Sequence, residues 1–134
     1  MPDSAAEQRE GIAALTAGLA SIANADPVLA RRGRYLNTIC QLDIGADTVL
    51  LRIIDGRITE VRGGPFVTPS AVFAISGEAA VWRRLLAANP QPGDHDLLAF
   101  VKRRELRLIG DLHPLMSHLL YFKGVLGHLR GAVR

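Results

Sequence analysis

The sequence predicts an α+β domain in which a five-stranded, mostly antiparallel sheet carries helices packed on one face. Three observations carry that prediction. Apolar residues alternate with polar ones from Tyr35 to Ile44, the period of an extended strand with one wet face. Three more segments rich in strand-forming residues follow before position 77, set apart by glycine turns. Apolar residues recur at helical spacing before and after this run, with one further short strand among the later helices.

Ile12, Leu15, Leu19 and Ile22 fall three or four residues apart amid alanines, the pattern of an amphipathic helix. Ser4 suits its amino-terminal cap, and Asn24 with Pro27 marks its end, because proline lacks the amide hydrogen that a continuing helix needs. Residues 27–33 read as a connector. In the first strand Leu36, Thr38, Cys40, Leu42 and Ile44 share one face, while Asn37, Gln41 and Asp43 interrupt the other. Gly45-Ala46-Asp47 turns the chain into residues 48–54, where Arg52 is the only charge, so this strand is expected inside the sheet. Asp55-Gly56 is a strong hairpin signal, since both turn positions can need positive φ. Residues 57–62 are more polar and belong nearer an edge; Gly63-Gly64-Pro65 ends them.

Residues 70–76 form the fourth strand, with Ala71, Phe73 and Ile75 on one face. A helix follows with Val81, Trp82, Leu85 and Leu86 on one side, and Asn89-Pro90-Gln91-Pro92-Gly93 stops it. Asp94 and Asp96 favour the start of another helix, through its partial positive charge, and that helix presents Leu97, Leu98, Phe100 and Val101. Leu106 to Ile109 is the fifth strand, ending at Gly110-Asp111. A last helix begins near Asp111 or His113, accepts Pro114 in its first turn, and is apolar around much of its circumference from Leu115 to Leu129. Gly124 and Gly127 weaken it, which reads either as a mobile lid or as a packed terminus.

A chain of 134 residues is the size of one domain with one core, so residues 1–134 are read as a single unit, 1–33 being the amino-terminal helix and connector and 34–134 the sheet and its covering helices. The apolar fraction is 49%, but only four Phe, two Tyr and one Trp contribute, so the core is mostly aliphatic. The net charge of +3 is too small to indicate a partner by itself. Two basic clusters are more informative: Arg31-Arg32-Gly33-Arg34, and Lys102-Arg103-Arg104 with Arg107. Either suits anionic lipid headgroups or nucleic-acid phosphates, and either is also what an ordinary solvated face looks like. The single Cys40 excludes an internal disulfide and a thiolate zinc cluster, and its place in an alternating strand makes it a small buried apolar residue. Acidic residues arrive early at the amino terminus and no apolar run reaches a membrane span, so the expectation is a soluble, cytoplasmic protein whose membrane contact, if any, is peripheral.

Catalytic patterns are missing. His113, His118 and His128 do not fall at the four-residue offset that lets two imidazoles share a zinc on one helix face. Asp94-His95-Asp96 are adjacent and so point apart, which suits a helix start better than an acid–base pair. Asp111 follows a strand, where loops often carry function, but a helix cap explains it equally. No serine lies in a nucleophile-elbow turn, and no phosphate-cradling glycine loop precedes a lysine. Phe100 precedes Lys102 and Arg103 but sits in an apolar helical row, which argues against nucleic acid. The reading is therefore of a protein without catalytic residues, metal or cofactor.

With the elements in order, the stretch from Leu42 to about Phe122, about 60% of the chain, resembles a sterol-carrier-protein-type lipid-binding domain. The resemblance lies in Leu42-Asp43-Ile44-Gly45, Ile54-Asp55-Gly56, Phe73-Ala74-Ile75-Ser76-Gly77 leading to Trp82 and Leu85-Leu86, and Leu106-Arg107-Leu108-Ile109-Gly110-Asp111 before an apolar helix. Residues 89–93 depart from the family's acidic-plus-proline turn, and the amino-terminal helix lies outside the match. The resemblance implies a five-stranded sheet covered by helices around an apolar tunnel that takes a sterol, a fatty acyl chain or another lipid, without catalysis; a quinone, isoprenoid or acyl ester fits as well. Helical and strand periodicity, with position in the family pattern, nominate Phe73, Ile75, Trp82, Leu86, Phe100, Leu115, Leu119 and Phe122 as tunnel lining, although plain core residues have the same pattern. The alternative is an accessory domain with a closed cavity that forms a homodimer or docks on a partner enzyme through residues 115–129.

Overall fold

Alternation sets the centre of the sheet. Strand β1 (Thr38–Ile44) buries every second residue along its length, and it lies between β2 (Asp47–Ile54) and β4 (Phe73–Gly77). The computed structural model describes residues 18–63, 71–87, 89, 91–92 and 96–129. Strand β3 (Arg57–Gly63) forms one edge, as its polarity requires, and β5 (Leu106–Gly110) the other, giving the order β3-β2-β1-β4-β5. Only β1 and β4 run parallel; the other three pairings are antiparallel. Register brings Val61, Leu51, Cys40 and Phe73 into one inward row and Val49, Leu42, Ile75 and Leu108 into the next. The β2–β3 hairpin turns on Asp55 at φ 50° and Gly56 at φ 77°, the two positive values its sequence called for.

The helices cover the inward rows. Residues 18–24 are helical and form the described part of α1. Helices α3 (Ala79–Leu85), α4 (Leu97–Lys102), α5 (His113–Ser117) and α6 (Leu119–Leu129) follow in the second half. Asp96 caps α4, its carboxylate accepting from the Leu98 N–H at 3.2 Å. The expectations at Ser4, Ile12, Leu15, Gly64, Pro65, Ser70, Pro90, Gly93, Asp94 and His95 lie outside the described residues.

Two expectations are corrected, and a third, left open, is narrowed. Residues 27–33 are not a connector but a helix, α2 (Pro27–Arg32), closed by Gly33. Proline stops a helix behind it yet is favoured in the first turn of one ahead of it. Here Asp26 supplies the cap, its Oδ1 accepting from Val28 N at 3.0 Å and Leu29 N at 3.2 Å. The last helix is two: His118, at φ −128° and ψ 40°, breaks α5 from α6. Of the two readings left open for this helix, Gly124 supports the packed one: a methyl group there would lie 2.7 Å from Leu29 Cδ1, and its bare Cα lets α6 close on α2. The same junction holds a contact 102 positions apart in sequence, with His128 Nε2 2.9 Å from Asp26 Oδ2. That contact, followed by the amide bond from Leu29, holds the Asp26 carboxyl below the usual carboxylate range.

Gly33 and Gly56 form a second close junction. The Tyr121 hydroxyl donates to the Gly56 carbonyl at 2.9 Å, and Gly56 N donates to Leu36 O at 3.1 Å. An added methyl group at Gly33 would strike the Tyr121 ring, 2.6 Å from Cδ2. Helix α2, the hairpin tip and α6 thus meet where two residues have no side chain.

Candidate functional site

The space between the helices and the sheet is apolar. Trp82, 1% exposed, anchors α3 over β1 by donating its indole N–H to the Asp43 carbonyl at 2.8 Å. Buried indole groups need such a partner, so this bond fixes both the ring and the helix carrying it. Beside the ring lies a void of about 10 Å³. Leu42 and Ile44 of β1, Val49 of β2 and Val61 of β3 form its floor; Trp82 and Leu86 stand on one side, Leu19 of α1 and Leu129 of α6 on another. No polar surface lines it, and its size is about that of one water molecule, so it stays dry.

All eight residues nominated as lining join one core, seven of them buried and Leu119 packed against it partly exposed. Trp82 and Leu86 border the void. Phe73 meets Phe122 edge to face, ring centroids 5.3 Å apart, and Phe122 meets Tyr121 in the same way at 5.4 Å. Phe100 is wholly buried beneath two guanidinium groups, Arg103 at 4.6 Å and Arg84 at 5.3 Å from its ring centre. Leu115 is fully buried, and Ile75 sits on the inward row of β4. Reasoning from sequence missed Leu42, Ile44 and Val49, whose signal was available: they are the inward positions on either side of the Gly45 turn.

Polar groups near the helix ends are committed to structure. Asp111 Oδ1 accepts from the His113 backbone N–H at 3.0 Å at the entry to α5, although the N-cap position itself is Leu112. Ser117 Oγ donates to the His113 carbonyl at 2.7 Å and lies 3.3 Å from His113 Nε2, so serine, histidine and aspartate cluster without the aspartate orienting the ring. Among the described residues no group of three His, Cys, Asp or Glu is placed to hold a metal. Burial pushes the Cys40 thiol well above its ordinary range and the Tyr121 hydroxyl up to about 12, so neither is activated. No helix among the described residues is long and apolar enough to cross a membrane.

Searched by sequence, the chain matches no family model and no curated protein. The fold, by contrast, is shared. A crystal structure of sterol carrier protein 2 superposes with a TM-score of 0.72, covering 90% of this chain and 96% of that one at 16% identity. The chain has the sterol carrier protein 2 fold. A solution structure of a conserved hypothetical protein from Thermus thermophilus matches with a TM-score of 0.64 at 16% identity, over 87% of this chain and 86% of the other. The UbiJ-SCP2 ubiquinone synthesis protein matches with a TM-score of 0.53 at 20% identity, over 85% and 89%. The fold is therefore shared with about one residue in six identical.

Proposed function

We propose that residues 1–134 act as one domain that binds a single apolar lipid between sheet and helices and carries it in the cytoplasm without chemical change. The observation behind this reading is the wholly apolar void at Trp82, in a fold shared with sterol carrier protein 2 over 90% of the chain. The cargo class is sterol-like, fatty acyl, quinone or isoprenoid; similarity to a ubiquinone synthesis protein gives the quinone equal standing with the sterol. Ligand pockets commonly enclose about 300–1,000 Å³, so a void of about 10 Å³ must widen before a chain enters. Widening means parting Leu19 of α1 and Leu129 of α6 from the sheet. Shielding a long acyl chain from water, at about 25 cal/mol per Å², supplies several kcal/mol towards that opening.

Trp82 is the only tryptophan and borders the void, so it reports occupancy. Titration with a fatty acid carrying a fluorophore that accepts energy from indole is expected to quench Trp82 saturably at one probe per chain, and an unlabelled lipid of the right class is expected to reverse it. Quenching that never saturates, or is unaffected by every competitor, speaks against the cavity. A second reading is favoured by Met116 and Leu120, 47% and 60% exposed on the adjoining short helices: a closed domain that dimerises or docks on an enzyme through this face. It predicts a ligand-free dimer.

A further inference from the structure

We propose that the chain carries a second site, a basic docking surface for anionic phospholipid membranes, formed at the end of the sheet where β4, β5, α3 and α4 meet. The last turn of α3 brings Arg83 and Arg84, the last turn of α4 brings Lys102, and Arg103, Arg104 and Arg107 follow. Among the described residues these neighbouring segments carry six cations and two carboxylates, Glu78 and Glu105, on a chain whose whole excess is +3. Glu105 is already engaged: Arg84 and Arg103 both bind it and hold its carboxyl below the usual range. Arg104 and Arg107 make no ion pair among the described residues, and together with Ser76, Gly77, Glu78, Val81 and Glu105 they line an open groove of about 530 Å³, in which Glu105 is already held by Arg84 and Arg103.

The backbone gives a second reason. Arg104 sits at φ 63°, just past the end of α4, where Glu105 N bonds to Phe100 O at 3.0 Å and Arg104 N to Val101 O at 3.0 Å. This is the helix-closing position that glycine fills best. An arginine held there against its conformational preference points to a use for its charge. The surface also offers an apolar contact: Ile109 shares the outward face of β5 with Arg107 and is 46% exposed. Cations next to exposed aliphatic groups match the boundary between headgroups and acyl chains. Nucleic acid fits less well, because the one aromatic ring in the cluster, Phe100, is wholly buried and α4 has only six residues. For the lipid-carrying reading, this surface is where the domain meets its donor or acceptor; it is measured with no cargo, so either idea can fail alone.

The test is flotation of the full chain with vesicles of phosphatidylcholine, with or without phosphatidylglycerol, at low and high salt. Binding is expected only with phosphatidylglycerol and to weaken with salt. Charge reversal at Arg104 and Arg107 is expected to weaken it roughly tenfold or more, while reversal at Arg31 and Arg32 on α2 leaves it within about twofold. Arg104→Gly guards against misfolding: it is expected to raise the melting temperature and still lower vesicle affinity several-fold. Equal binding to neutral vesicles, full binding by Arg104→Gly, or a preference for a duplex oligonucleotide over the anionic vesicle overturns the proposal.

Discussion

Trp82→Ala is expected to destabilise the domain by about 3–5 kcal/mol, the cost of emptying a large aromatic site in a core that cannot fully collapse. Two further effects act in the same direction. The Asp43 carbonyl loses its indole donor, and an unpaired buried acceptor costs about 1–3 kcal/mol. The existing void at Leu42, Ile44 and Val49 merges with the new one, which removes neighbours from both sides of α3. Urea unfolding followed by far-ultraviolet circular dichroism measures the change, since the only indole is gone. Trp82→Phe keeps much of the packing and is expected to fall between the wild type and alanine. A loss below about 1 kcal/mol for alanine contradicts the role given to this residue.

Gly56→Ala is the second large effect, expected to cost about 2–4 kcal/mol. At φ 77° a side chain is strained whatever the space, and the added methyl would also lie 2.9 Å from the Gly33 Cα. Backbone cannot move aside as a flexible side chain does, so the hairpin tip must lift from α2 and take the Tyr121 bond with it. A fall in melting temperature of roughly 10 °C is the expected reading. Gly127→Ala is the matched control: nothing lies within 4 Å of its added methyl, and helix propensity alone favours alanine by up to about 1 kcal/mol.

The strands were legible because each inward face repeats every second residue, and that period survives in Leu42, Ile44, Val49 and Leu51 without help from distant contacts. The helix α2 was hidden by Pro27, which carries opposite meanings before and after a helix boundary; Asp26 beside it was the deciding signal. The break at His118 was not legible, since neither glycine nor proline marks it and both arms are equally apolar. The candidate lining residues all belong to the core, as their periodicity requires. Which of them border a void depends on how α1, α3 and α6 sit against the sheet, and that is a property of packing and not of spacing. The basic surface was legible in part: Lys102, Arg103, Arg104 and Arg107 already form one cluster in the sequence, and the pairing of β4 with β5 brings the arginines that end α3 towards it.

Native mass spectrometry of the protein purified from its own cells tests the central claim most directly. The account predicts one copy of an extractable apolar lipid per chain, released by organic solvent and rebound when returned. A ligand-free species that takes up no lipid, above all a dimer protected over residues 115–129, contradicts it.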